Sequence, residues 1–538
     1  MGDIYMVTGP PGCGKTTNLC TKAAEAVAKW GGSSVLICSL TKSAAAEVKR
    51  RGIKMPLDQI GTMHAHCYRA LGRPTLAESK IKEWNMDPRS GGYQFSGKGL
   101  SIGDSESNNN RAAPQFGDRC YQIYCLSRAR MEPQGSSANA EFTDRWEAWK
   151  AENDYFDFSD LIDRARLDCE YAPRRPQVIW LDEAQDSSRQ ELALAMHWAK
   201  DATLIMTGDL DQSIFTWRGA DPQAFYDLKI PPEHRKILSQ SYRVPVAVHA
   251  AAVQWINQID DREQVEYQPR EFDGLVEKCN YTYTAAEKLL ETVGPYLTSG
   301  KSVMFVGTCA FHLDPLVAVM RKKGIPFHNP YRQKDGRWNP LGRRNGSTTA
   351  VDRIEAFLSP QKQGRWSAQS ALDWIEVVKT EGFLVNGAKV RLKRWVREKV
   401  VFDDSMLSSL FLDGSVAAGE AIEEAWDGNY NWLRDHLVGS KTKSLDYPIR
   451  VADTHGIESL RKEPQINVGT IHSVKGGESD VVVVFPDLSH AGYREWSALG
   501  DGRDSVIRLF YVAMTRARET LILCNPAGPM HVKWGDIS

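Results

Sequence analysis

Short apolar runs alternating with Ala-rich or amphipathic stretches mark both ends of this chain. Ile4 to Val7 reads as a buried strand, followed by a Gly/Pro loop and Ala-rich helical sequence. Ser34 to Cys38 repeats the strand signal and Thr41 to Arg51 the helical one, and further apolar strands are predicted at Val178 to Leu181 and from Leu204. This alternation predicts parallel sheets whose sites lie at the strand ends. Residues 66–155 break the rhythm: Ser90 to Gly117 and Pro133 to Ala140 are Gly-, Ser- and Asn-rich, offer little for a core, and read as mobile loops of an inserted domain. A second α/β stretch starts near Leu238, with a strand at Ser302 to Val306 and a helix ending at Lys323-Gly324. After Tyr331 comes a helical region bearing Trp338, Trp366, Trp374, Trp395, Trp426 and Trp432, and strands return at Ile466, Val481 to Phe485 and Thr520 to Leu523. The predicted class is α/β: one domain over 1–65 and 156–236 with insertion 66–155, and a second over 237–332 and 465–538 with mainly helical insertion 333–464.

At 538 residues the chain exceeds one typical core. Its 67 Lys and Arg against 68 Asp and Glu give a net charge of -1, so a polyanion must be held by local patches rather than by an overall field. Two basic stretches qualify, Arg321-Lys322-Lys323 through Arg343-Arg344 and Lys389 through Arg397, with a solvated helix face as the plain alternative. The ten cysteines lack a CxxC pair, Met1-Gly2-Asp3 does not open a signal sequence, and no run suits a bilayer span. A cytoplasmic protein of a prokaryotic or virus-infected cell, with reduced thiols, is expected. His64, His66 and Cys67 lie close enough to suggest a metal triad, a weaker reading than a structural one.

The chemistry concentrates in two segments. Gly9-Pro10-Pro11-Gly12-Cys13-Gly14-Lys15-Thr16, with Thr17 behind it, stands between predicted strand and helix, where Gly-rich backbone aims N–H groups at phosphate oxygens and the helix start adds positive potential. Lys15 is expected on the β and γ phosphates and Thr16 on Mg2+. In Asp182-Glu183-Ala184-Gln185-Asp186, which ends a strand, Asp182 is expected to hold the same ion and Glu183 to orient and deprotonate the attacking water. Taken singly, the first could be an ordinary turn and the second a solvated strand end. Together they predict a site that hydrolyses a nucleoside triphosphate with Mg2+.

A third segment, Gly208 to Ala220, delivers Gln212 to the nucleotide side and then presents Phe215, Trp217 and Arg218. Aromatic faces stack on bases without reading sequence, at ~1–3 kcal/mol per base, and an adjacent Arg suits backbone phosphate. Core packing of Phe215 and Trp217 is the alternative.

At these residues the chain resembles the UvrD/Rep/PcrA family of superfamily 1 DNA helicases, in the family's motif order over nearly the whole length. The resemblance is carried also by Ser39 to Ala45, Gly61 to His64, Phe156 to Leu161, Gln240-Ser241-Tyr242-Arg243, Thr470 to Glu478 and Tyr511 to Arg518. It implies tandem RecA-like P-loop motor domains, with Arg243 and Arg516 as arginine fingers, Tyr242 stacked on the base and Glu478 on the ribose. It also implies DNA contacts at Thr41, Thr62, His64, Thr470 and His472, although short polar residues at strand ends also cap helices.

The family's Gln-containing adenine reader has no counterpart before the first strand, and Leu40 stands where relatives commonly place an aromatic. With little sequence after Arg518, a strand-separating pin is expected to be short or supplied by an insertion. The expected function is an ATP-dependent 3′-to-5′ helicase or translocase on single-stranded and tailed or forked duplex DNA, in replication or repair. The alternatives are a translocase that strips proteins with weak unwinding, or a nucleotide-switched binding subunit. A monomer or weak dimer is expected, with protein partners docking through the tryptophans of 333–464.

Overall fold

The structure, a computed structural model, describes residues 2–39, 45, 48–49, 51–96, 115–133, 139–260, 262, 264–332, 336–342, 348–498, 500–535 and 537. It divides into two compact units, one of residues 1–280, 306–310 and 470–538, the other of 281–305 and 311–469.

The first unit contains a six-stranded sheet in the order Ile60–Thr62, Val35–Ser39, Val178–Leu181, Thr203–Gly208, Ile4–Thr8, Arg235–Ile237. Its neighbours all run parallel. Strands Val35–Ser39 and Val178–Leu181 are buried along their whole length, the mark of a parallel sheet covered on both faces. Side chains alternate between the two covers. Val35, Ile37 and Trp180 join Leu19, Ala23 and Ala26 of helix Lys15–Trp30, while Leu36, Cys38, Ile179 and Leu181 join Leu161, Ile162, Leu194 and Trp198 of helices Phe158–Asp168 and Arg189–Trp198. The small Ala residues on Lys15–Trp30 let that helix lie close over the sheet, placing its N-terminus beside the C-terminal ends of the strands.

The region expected to be core-poor has a dense aromatic centre. Trp84, Phe95, Tyr121, Phe142, Trp146 and Trp149 cluster there, with Phe95 only 2% exposed in the stretch read as loop. Composition averaged over Ser90 to Gly117 hid one well-placed ring; residues 97–114 and 134–138 lie outside the described residues. Beside it, buried Lys150 binds Asp157 and Asp160 at 2.6 and 2.5 Å. Asp157 and Asp160 also close a capping box at the start of Phe158–Asp168, so the motif Phe156 to Leu161 begins a helix and neutralises a buried cation. The unit is completed by strand Ala517–Cys524, flanked in parallel by Leu275–Cys279 and Ser479–Val484, and by the largely buried helix Asp501–Met514.

In the second unit, helix Asp314–Lys323 ends at left-handed Gly324, as the sequence predicts. Phe357, Trp374 and Trp432 form its aromatic core, with Phe357 and Trp432 stacked at 5.9 Å and Trp366 packed beside them. This narrows the docking expectation: Trp338, Trp366, Trp374 and Trp432 are core residues, Trp395 is half-buried, and Trp426 is exposed at 54%. The parallel α/β class is borne out.

Candidate functional site

The loop from Gly9 to Gly14 follows strand Ile4–Thr8 and turns directly into helix Lys15–Trp30. Gly12 has φ 77°, and a Cβ there would lie 2.5 Å from the Arg243 Cβ, so close passage of a second segment demands glycine. That segment, Gln240–Pro245, is tied down by Tyr242 N–H donating to Gly12 O at 2.9 Å and Ser241 Oγ donating to Pro11 O at 2.9 Å. Lys15 is buried, its Nζ donating to Gly9 O at 2.5 Å and Pro10 O at 3.3 Å. Cys13 is buried and burial pushes its thiol pKa up, so its contribution to the loop is backbone and volume rather than thiolate chemistry. Thr16 lies in the first turn of the helix, and exposed Thr17 accepts from Arg51 Nη1 at 3.0 Å.

Asp182 and Glu183 end the strand Val178–Leu181 with different electrostatics. Burial, reinforced by the negative charge of Glu183, pushes Asp182 up to about 6. Its hydrogen bonds among the described residues, from Thr207 Oγ1 at 2.6 Å and Glu183 N at 3.2 Å, both fall on Oδ1, which leaves Oδ2 for a cation. A buried carboxylate oxygen and a hydroxyl such as that of Thr16 are hard-oxygen donors of the kind Mg2+ takes, so the chemistry of these residues fits that ion. Burial also acts on Glu183, but the positive charges of Lys475, Lys15 and Arg516 and the Gln185 side-chain donor outweigh it and hold the carboxyl below its ordinary range. Its backbone sits in the left-handed region at φ 56°, a strain that non-glycine residues keep chiefly where position matters.

A polar relay runs from the loop to the far end of the sequence. Lys15 Nζ lies 4.0 Å from Asp209 Oδ2, Asp209 Oδ2 accepts from Gln212 Nε2 at 2.5 Å, and Gln212 Oε1 accepts from Arg516 Nη2 at 2.9 Å. Arg516 is buried and further fixed by Val512 O and Gly477 O at 2.9 and 3.3 Å. Arg243 Nε pairs with Glu478 Oε2 at 2.7 Å, and Tyr242 is 72% exposed beside Gly14. Lys15, Asp182, Glu183, Gln212, Arg243, Arg516, Tyr242 and Glu478 therefore all belong to the same compact unit.

Beyond Gln212 the chain enters the aromatic loop. Phe215 is buried at 8% exposure and Trp217 is 38% exposed, so both readings hold, one for each ring. His472 lies 5.7 Å from the Phe215 ring and 6.1 Å from Trp217, with its Nε2 3.1 Å from Ile214 O. The Arg218 guanidinium sits 5.5 Å over Phe215. Thr62 caps helix Met63–Ala70 by accepting from Ala65 N, and buried Thr470 accepts from Ser473 N at 3.2 Å, so both hydroxyls do the capping work weighed against DNA contact. His64 Nδ1 lies 3.6 Å from Glu191 Oε1. Thr41 and Arg343-Arg344 fall outside the described residues. The metal triad fails because both His66 ring nitrogens are engaged, at 3.0 Å from Ile37 O and 2.9 Å from Arg69 Nη2. Of the basic stretch from Lys389, Lys389 is spent on Glu376 O and Val378 O and Lys393 on Glu376, while Arg394 and Arg397 are exposed.

Lys475, inside the Thr470 to Glu478 segment, is a central residue that sequence reasoning missed. Its Nζ contacts Asp186, donates to Gln212 O at 2.6 Å, lies 3.9 Å from Glu183 Oε2 and sits 5.2 Å over the Phe215 ring. No local signal could have found it, because the carboxylate it meets lies 289 positions away in the sequence.

Residues 2–231 match the UvrD/REP helicase N-terminal domain, and residues 451–526 match the UvrD-like helicase C-terminal domain. The ATP-dependent DNA helicase PcrA of Staphylococcus aureus is 28% identical over 292 residues, covering 49% of this chain and 39% of the relative. PcrA of Bacillus subtilis (strain 168) is 26% identical over 301 residues, covering 49% and 38%. The putative ATP-dependent DNA helicase YjcD of the same strain is 24% identical over 599 aligned positions, covering 98% of this chain and 77% of the relative. The match thus spans about two fifths of the length of the PcrA relatives. The chain belongs to the UvrD/Rep-like helicase family of superfamily 1.

Proposed function

We propose that this protein hydrolyses ATP to move 3′-to-5′ along single-stranded DNA and open duplex ahead of it. The observation carrying the proposal is the unbroken chain Lys15, Asp209, Gln212, Arg516, whose Gln212 leads within three residues to the aromatic loop. Gln212 is placed to transmit between the two: its side chain belongs to the phosphate end and its carbonyl holds Lys475 over Phe215.

In this reading the glycine loop and Lys15 bind the triphosphate, Tyr242 stacks on the base and Glu478 holds the ribose. Bound Mg2+, held by Thr16 and Asp182, supplies charge neutralisation at the phosphates. Glu183, kept ionised, orients the attacking water and takes its proton. Arg243 and Arg516 stabilise the charge that develops on the transferred phosphoryl oxygens, a contribution of ~10³–10⁵ in rate for an arginine finger. Trp217 stacks on a base and Arg218 and His472 hold the adjoining backbone, so phosphate state and grip change together. The domain division follows the motif order: motor domains at 1–65 with 156–236 and at 237–332 with 465–538, insertions at 66–155 and 333–464. The ordered family motifs support the polarity, and Tyr242 stacking supports ATP use with tolerance toward other bases. A cytoplasmic location fits this role; no helix among the described residues is long and apolar enough to cross a membrane.

A fluorescent duplex with a 3′ single-stranded overhang tests the proposal, with Glu183→Gln as control. ATP-dependent strand separation lost in the control supports it. Movement without separation would leave a translocase that displaces bound proteins, and nucleotide-dependent DNA binding without turnover would leave a switch.

A further inference from the structure

Gly219 closes the aromatic loop at φ 91°, and a Cβ built on it would lie 2.5 Å from the Ala129 Cβ and 3.8 Å from Leu126 Cδ2. Ala129 and Leu126 belong to the last turn of Phe116–Ala129, a helix of the inserted region 66–155. The loop between is short and rigid: Arg218 N donates to Phe215 O, Gly219 N to Thr216 O and Ala220 N to Phe215 O at 2.9, 2.9 and 3.3 Å. The helix end is itself anchored. Arg128 donates to Tyr124 Oη at 2.6 Å, Glu147 Oε1 at 2.7 Å, Asp160 Oδ1 at 3.0 Å and Asp163 Oδ2 at 2.8 Å, so one guanidinium joins it to helices Ala140–Asn153 and Phe158–Asp168.

We infer that Ala129, held by Arg128, is the seat on which Gly219 rests, and that this contact with the inserted region positions Trp217 and Arg218 for single-stranded DNA. The inference rests on the proposed function, since it names what sets the grip of the same loop. The seat works by shape: glycine admits the helix end at a distance no other residue allows, and a tight turn three residues long passes any displacement of Gly219 to Trp217. Ala129 and Arg128 act through the loop and are positioning residues.

A double-mutant cycle reads the contact directly. Binding of a labelled oligothymidylate by the full chain is measured for wild type, Gly219→Ala, Ala129→Gly and the double variant, alongside DNA-free ATP hydrolysis and the thermal midpoint. Backbone strain from alanine at φ 91° is common to both backgrounds and cancels in the cycle. Gly219→Ala is expected to weaken DNA binding by roughly tenfold in the wild-type background, the size of a contact-pair coupling, and much less in the Ala129→Gly background. DNA-free turnover should stay unchanged. Ala129→Val crowds the seat from the helix side and should weaken binding without altering the loop sequence, which keeps the test alive if Gly219→Ala does not fold. Equal losses in both backgrounds, or Ala129→Val binding as wild type does, would overturn the inference alone. A wild type that binds no oligothymidylate would remove the proposed function and this inference with it.

Discussion

Arg516 Nη2 donates to Gln212 Oε1 across 304 positions of sequence at 2.9 Å, with Arg516 buried and locked by two backbone carbonyls. Each of the three guanidinium nitrogens is held by a different acceptor, a planar arrangement that an ammonium on a flexible stem cannot reproduce. Arg516→Lys should therefore lower DNA-stimulated kcat by about 10³ with little change in KM for ATP. Steady-state kinetics check this, and an unchanged kcat would place Arg516 outside the chemistry.

Asp182 gives a prediction with opposite signs for stability and activity. Burial raises its pKa to about 6 from an ordinary carboxylate value, so between about pH 4 and 6 the folded state binds more protons than the unfolded one. Its contribution to stability then falls as pH rises through that window and stays low at neutral pH. Asp182→Asn should raise stability at pH 7 by about 2 kcal/mol while removing ATP turnover. Denaturant titrations at pH 4 and pH 7 would show the gain growing with pH; a gain independent of pH would contradict the assignment.

Lys475 and Asp186 are both buried, and Lys475 is the main positive charge opposing the burial that pushes Asp186 up. Removing one partner strands the other. Lys475→Met should cost about 3–5 kcal/mol, and Asp186→Asn in the same chain should recover much of it. Urea unfolding of the two variants decides this, additive losses being the contrary result.

The two rings of the aromatic loop should separate by assay. Trp217→Ala should cost about 1–3 kcal/mol of single-stranded DNA affinity with little effect on folding. Phe215→Ala, which empties a buried site, should cost about 3–5 kcal/mol of stability. Anisotropy titrations and thermal melts measure both, and a Trp217 variant that binds DNA normally would return that ring to a packing role.

Much of the site was legible because its residues are dictated locally. A loop that must wrap phosphate needs glycines where the helix begins, and acids that meet a cation must end a buried strand. What sequence does not carry is which distant side chain comes to rest beside them. The Lys475–Asp186 pair spans 289 positions, and the residue types alone allow several other pairings. Periodicity likewise marks Trp374 and Trp432 as helical without saying that their rings meet edge to face at 5.7 Å in a core. Thr62 and Thr470 were ambiguous for a physical reason: one hydroxyl at a strand end suits a helix cap and a phosphate equally well. Phe95 was hidden because one ring can anchor a cluster inside a stretch whose average composition is polar.

ATP hydrolysis with and without oligothymidylate tests the coupling of phosphate site to aromatic loop most directly. The account predicts that the wild type turns over faster when the oligomer is added and that Gln212→Ala keeps DNA-free turnover measurable while losing most of that acceleration. A wild-type rate indifferent to the oligomer, or an acceleration undiminished in Gln212→Ala, would contradict it.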